Sequence, residues 1–199
     1  MKVIAAAAAV AAVSVVAALP IHAHGGSPQV PPGLVVPAGH KLFLEGHAFG
    51  TQNYLCLPSA SAPAGVAWIN VGPQATLFAD NGRQIITHFL SPNPDESGIA
   101  RATWQHSRDT SAVWAAADAD PVFVEAGAIP WLRLHFVGRQ EGPTGGDSLS
   151  ETTYIQRINT VGGVAPATGC AAGTDVGKRY FSPYEADYLF YKERSSGLD

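Results

Sequence analysis

The segment ATLFADNGRQIITHFL, residues 75–90, contains two apolar runs separated by a tight-turn signal. Asp80-Asn81-Gly82 favours a reversal, because Asn and Gly accept the positive φ angles that a two-residue hairpin turn requires. The flanking runs Thr76–Ala79 and Gln84–Leu90 have the length and the β-branched and aromatic content of strands. The segment therefore predicts an antiparallel β-hairpin.

The same pattern of short apolar runs and turn residues continues along the chain. Of its 199 residues 21 are Gly and 15 are Pro, and only 14% are charged. Few windows show a helical period. Further strands are predicted at His40–Gly46, Phe49–Leu57, Val66–Val71, Ala102–Ser107, Ala112–Ala116, Trp131–Val137, Thr152–Thr160 and Ala186–Tyr191. We expect an all-β fold, an antiparallel β-sandwich or open barrel with long Gly/Pro-rich loops.

The first 23 residues have the pattern of a cleavable signal peptide. Lys2 precedes an apolar run from Val3 to Leu19, Pro20 ends that run, and a small residue stands at Ala23. The sequence thus predicts a signal peptide over residues 1–23 and a single secreted β domain over 24–199, extracellular or periplasmic, with no membrane segment after cleavage. The alternative is a retained anchor, although the run is short for a membrane span.

Charge and cysteine content narrow the function classes further. A formal net charge of −4 argues against a nucleic-acid partner, which would require a basic surface. Cys56 and Cys170 are the two cysteines, and an even number in an exported protein predicts a disulfide. Gly146-Asp147-Ser148-Leu149 spells an esterase signature, but no histidine follows His135 to act as its base.

Strand alternation places His88 on the apolar face that Ile86 and Leu90 form. In the next predicted strand Trp104 and His106 share one face. We therefore expect His88, Trp104 and His106 to line a small ligand-binding pocket. The alternative is a core histidine whose ring nitrogens bond backbone groups.

Arg157 and Asp187 stand in two strongly apolar predicted strands. Since a charge in such a strand needs a partner, we expect a structural ion pair between them. The alternative is an anion-binding site around Arg157.

His24 would become the N-terminus if cleavage follows Ala23. A terminal amine and an imidazole bind copper(II) well, and a second histidine would complete a three-nitrogen site. This start is similar to that of the lytic polysaccharide monooxygenases and provides an alternative function, a copper-dependent oxidase or monooxygenase with His24 as a metal ligand.

Three motifs, together with Gly82 and the pair Thr87-His88, resemble one known family. The motifs are IQRINTVGGVAP at residues 155–166 with Cys170 behind it, YEADYLFY at 184–191, and AIPWL at 128–132. They are similar to a family of secreted bacterial and fungal proteins known only as a domain of unknown function. The resemblance implies export and a β fold, and implies no reaction. Without a complete catalytic set, we expect a binding or surface-associated protein whose partner is a small molecule or a cell-surface glycan.

Overall fold

The computed structural model describes residues 29–195, so the predicted signal peptide and His24 lie outside the described residues. Eight antiparallel strands form one closed barrel, in which each strand pairs with its neighbours in sequence. The strands are β1 His40–Pro58, β2 Val66–Phe78, β3 Gln84–Asn93, β4 Ile99–His106, β5 Ala112–Ala117, β6 Leu132–Gln140, β7 Tyr154–Gly162 and β8 Arg179–Glu193. Short 3-10 turns occupy Pro32–Leu34 and Pro94–Glu96.

The all-β prediction is confirmed, and the architecture is the barrel. The barrel is closed, not open, because β1 and β8 pair along nearly their whole lengths, from His40 opposite Glu193 to Leu55 opposite Arg179. This pairing joins the first strand of the sheet to the last and closes the barrel.

The hairpin at residues 75–90 forms as expected between β2 and β3. Leu77 lies opposite Ile86, Ala75 lies opposite His88, and Gly82 takes a positive φ of 74° at the turn. This register points His88 into the barrel.

β1 and β2 are each one long strand where the sequence predicted two short ones. The predicted break in β1 falls between Gly46 and Phe49, but the strand continues through it. β2 passes very close to Gly50, four residues after Gly46. A Cβ at that position would lie 2.2 Å from the carbonyl oxygen of Gln74. Gly50 therefore permits the close approach of the two strands and does not end β1.

The two ends of the barrel differ. At the closed end, which carries the β2–β3, β4–β5 and β6–β7 connections, Leu149 is fully buried and packs on a core containing Leu77, Ile86 and Phe190. The open end carries the β1–β2, β3–β4, β5–β6 and β7–β8 connections. There the interior is less completely filled, which places the candidate site in that half of the barrel.

The predicted disulfide between Cys56 and Cys170 is present, with Cα atoms 5.4 Å apart. It joins the end of β1 to the β7–β8 connection and so fastens a long loop at the open end. Within residues 29–195, no helix has the length and apolar character needed to cross a membrane.

Candidate functional site

A cavity of about 430 Å³ lies inside the open half of the barrel. We call it the barrel cavity. Its walls come from every strand except β5 and from the β5–β6 connection. The lining residues are Gln52, Tyr54, Asn70, Gly72, Pro73, His88, Leu90, Ala102, Trp104, Ile129, Pro130, Leu132, Leu134, Arg157 and Tyr188. The volume falls within the range of about 300–1,000 Å³ that small-molecule sites have.

Three aromatic rings form the inner wall of the barrel cavity. The imidazole of His88 lies parallel to the indole of Trp104, with centroids 4.2 Å apart and an interplanar angle of 12°. Tyr188 packs edge-on against His88 at 5.1 Å and against Trp104 at 5.6 Å. Contacts on several sides hold the His88 ring in one orientation.

His88 is neutral and has a defined tautomer. Its Nδ1 lies 2.8 Å from the carbonyl oxygen of Thr103, which can only accept, so Nδ1 carries the hydrogen. Nε2 therefore presents a lone pair, and no residue in the described range bonds to it. Burial lowers the pKa of His88 to about 3, and the nearby positive charge of Arg157 acts in the same direction.

Arg157 places a positive charge at the barrel cavity. It lies opposite Tyr188 in β8 and Leu132 in β6, both of which line the cavity. Its Nε and Nη2 donate to the carbonyl oxygen of Pro130 at 3.1 and 2.9 Å. The guanidinium is fixed by a backbone group, and no described residue accepts a hydrogen bond from its Nη1.

Two buried donors in the wall have no acceptor within the described part of the chain, Trp104 Nε1 and Gln52 Nε2. The Oε1 atom of Gln52 accepts from Asn70 Nδ2 at 3.1 Å. An unpaired buried donor costs about 1–3 kcal/mol of stability. Neither atom has accessible surface, so neither faces the open volume of the cavity.

The IQRINTVGG motif attaches the β5–β6 connection to the barrel. The backbone amide of Ile129 donates to the Gly162 carbonyl at 2.9 Å, and the Thr160 hydroxyl donates to the Ile129 carbonyl at 2.6 Å. Together with the bonds from Arg157 to Pro130, these contacts hold Ile129 and Pro130 beside the cavity. Sequence analysis missed this role, although the AIPWL motif contains both residues.

The predicted ion pair between Arg157 and Asp187 is wrong. Ile158 lies opposite Asp187 while Arg157 lies opposite Tyr188, so the two charges point to opposite faces of the sheet. Arg157 faces the interior. Asp187, on the outer face, lies 2.6 Å from Nδ1 of His47 and accepts from Asn159 Nδ2 at 2.7 Å.

His47 lies in a cluster of charged side chains on the outer surface of the barrel. Its Nε2 lies 2.8 Å from a carboxylate oxygen of Asp80, opposite the contact with Asp187. Burial on its own would lower the pKa of His47, but hydrogen bonds to Asp80 and Asp187 outweigh it and raise the pKa. Glu45, His47 and Asp187 offer ligand atoms within 4.8 Å of one another, a set that could hold a metal ion.

The three residues predicted to line one pocket do not all lie together. His88 and Trp104 meet as expected. His106 lies towards the closed end, where its Nδ1 is 3.0 Å from a carboxylate oxygen of Asp109, and it does not line the barrel cavity. Gln52 and Tyr188 line the cavity but were not predicted. They lie on β1 and β8, whose pairing with each other closes the barrel and is not visible in the local sequence.

A family model described as "Protein of unknown function (DUF3455)" matches residues 37–192. The match runs from just before β1 to the penultimate residue of β8. No curated protein and no solved structure matches the chain.

Proposed function

Because the chain belongs to this family of unknown function, its activity must be argued from the site, and we propose that it binds a small organic molecule in the barrel cavity. The observation that carries the proposal is the composition of this cavity. Apolar side chains such as Leu90, Leu132 and Leu134 lie beside two polar side chains, His88 and Arg157, that backbone carbonyls hold in place. Small-molecule sites combine an apolar wall with a few oriented polar groups in this way.

The geometry favours a small molecule over a cell-surface glycan. Trp104, which would serve as a sugar-stacking platform if it lay on the surface, is 1% exposed and already stacked on His88. A ligand must therefore enter the barrel to reach the aromatic wall.

Export is part of the proposal. The Cys56–Cys170 disulfide supports it, because such bonds persist mainly in oxidising compartments. N-terminal sequencing of the protein recovered from culture medium or periplasm tests export and the cleavage site together. The copper alternative depends on His24 and stays a prediction; metal analysis of that same protein after copper loading tests it.

Binding is tested with N-phenyl-1-naphthylamine, a neutral apolar probe whose fluorescence rises in apolar surroundings. We expect saturable binding to the full chain. Ala102 lines the cavity, so Ala102→Phe should fill part of it and weaken binding at least about ten-fold, which corresponds to about 1.4 kcal/mol.

The matched control is Ala116→Phe, which adds the same ring on β5 outside the cavity lining. It should bind the probe as the wild-type protein does. The proposal is contradicted if the wild-type protein shows no saturable binding, or if both variants bind equally well.

A further inference from the structure

Arg157 is the one charged residue of the cavity lining at neutral pH. No lining residue is Asp, Glu or Lys, and His88 is neutral. Among the described residues Arg157 forms no salt bridge, and its two side-chain hydrogen bonds go to one neutral carbonyl, that of Pro130. The site therefore lacks a counter-charge. A partly buried cation without an anion costs free energy, which a bound anion would offset.

The free edge of the guanidinium has a shape that selects its partner. Nε and one hydrogen of Nη2 bond Pro130, which leaves Nη1 and the second hydrogen of Nη2 to donate. The guanidinium is planar and pairs well with the coplanar oxygens of a carboxylate. One arginine neutralises one negative charge, which suits a monoanion better than a phosphate dianion.

The rest of the cavity lining favours an organic anion over an inorganic one. Carboxylate oxygens are acceptors only, which suits a donor such as the Arg157 guanidinium. The rest of the lining, including Leu90, Ala102, Ile129, Leu132 and Leu134, would surround an apolar body.

We propose that the ligand of the barrel cavity is an organic monocarboxylate with an apolar body, and that its carboxylate pairs with Arg157. This inference rests on the proposed function, because it names the class of molecule that the cavity takes. Arg157 is positioned in advance: Pro130 holds its guanidinium, and the bonds of Ile129 to Thr160 and Gly162 hold that segment. Such positioning reduces the entropic cost of binding.

Two competitors of nearly equal shape test the inference. 1-Naphthaleneacetate carries a carboxylate, and 1-naphthaleneacetamide replaces it with a neutral amide. Each is titrated into the full chain with bound N-phenyl-1-naphthylamine at low salt, and the loss of probe fluorescence measures displacement. The acetate should compete at a concentration at least about ten-fold lower, because hydrogen bonds to charged groups are stronger than neutral ones.

Arg157→Gln should remove this preference, so that the acetate and the amide compete at about the same concentration. Arg157→Lys keeps the positive charge and should keep part of the preference. The control is Arg133→Gln, since Arg133 lies on β6 outside the cavity lining and pairs with Asp118. It should retain the full preference.

The outcomes separate the two proposals. If the neutral probe binds but the amide competes as well as the acetate, the carboxylate inference is overturned and the proposed function stands. An unchanged preference in a folded Arg157→Gln variant also overturns it. If Arg157→Gln does not fold, the wild-type comparison of acetate with amide decides alone. If no probe binds the wild-type protein, both proposals fail.

Discussion

The imidazole of His88 stacks on the indole of Trp104, 4.2 Å away, while its Nδ1 donates to the Thr103 carbonyl at 2.8 Å. The ring is therefore buried, neutral and fixed, with only Nε2 unbonded among the described residues. That arrangement differs from a core histidine with two backbone bonds, and it places an oriented acceptor in the wall of a cavity.

Acid should destabilise the protein through His88. Its pKa falls to about 3 on folding, from an ordinary value near 6.5, so the unfolded chain takes up a proton that the folded protein does not. Stability should thus decrease as the pH falls from about 6.5 towards 3. The contribution is about 2–3 kcal/mol between pH 6 and pH 4.

Urea unfolding of the wild-type protein and of His88→Phe at these two pH values measures this contribution. The variant keeps an aromatic ring but does not titrate, so its stability should depend less steeply on pH. Equal pH dependence in both proteins would contradict a buried neutral His88.

His47 should titrate in the opposite sense. Its raised pKa means that the folded protein holds this proton more tightly than the unfolded chain does. The resulting stabilisation is present below the unfolded pKa and is lost as the pH rises through the folded value. Because His47 is partly exposed, solvent screening should limit it to about 1 kcal/mol.

Asp187→Asn removes one carboxylate from His47 and should lower its pKa, as followed by NMR titration of the ring protons. Glu185→Gln changes an exposed carboxylate on the same strand and is the control. A His47 pKa that stays the same in Asp187→Asn would show that the contact does not form.

The hairpin and the stack of His88 on Trp104 could be predicted because they depend on local turn chemistry and on strands adjacent in sequence. The partner of Arg157 could not, because it depends on the register between β7 and β8, which are joined by a long connection that does not fix it. Ile155 and Arg157 share one face of β7, and the register with Tyr188 shows that this face is interior. Pro130 is a backbone acceptor in a connection, which side-chain patterns do not indicate.

Asn159 should be replaceable by Gly at lower cost than by Ala. It has a φ of 51° in β7, where the register with β8 shifts between Ile158 and Val161. Both substitutions remove the hydrogen bond to Asp187, but only Ala meets the steric penalty of the left-handed region. Asn159→Ala should be less stable than Asn159→Gly by about 1 kcal/mol in urea unfolding. The opposite order would contradict this backbone geometry.

Removal of the disulfide should destabilise the protein strongly. Cys56 and Cys170 are separated by 114 residues, and bridging a long loop restricts the unfolded chain. The double variant Cys56→Ala/Cys170→Ala, which leaves no free thiol, should lose about 2–5 kcal/mol and be recovered in lower yield. Reduction of the wild-type protein should give a similar loss. Unchanged unfolding in both experiments would contradict a structural role for the bond.

The central claim is that a ligand occupies the interior of the barrel, and intermolecular nuclear Overhauser effects test it most directly. Protons of bound N-phenyl-1-naphthylamine should show contacts to the methyl groups of Leu90, Ala102, Leu132 and Leu134 and to the Tyr188 ring. Contacts confined to exposed apolar side chains such as Phe123 and Phe181 would show that the probe binds the outside of the protein, and would contradict the account.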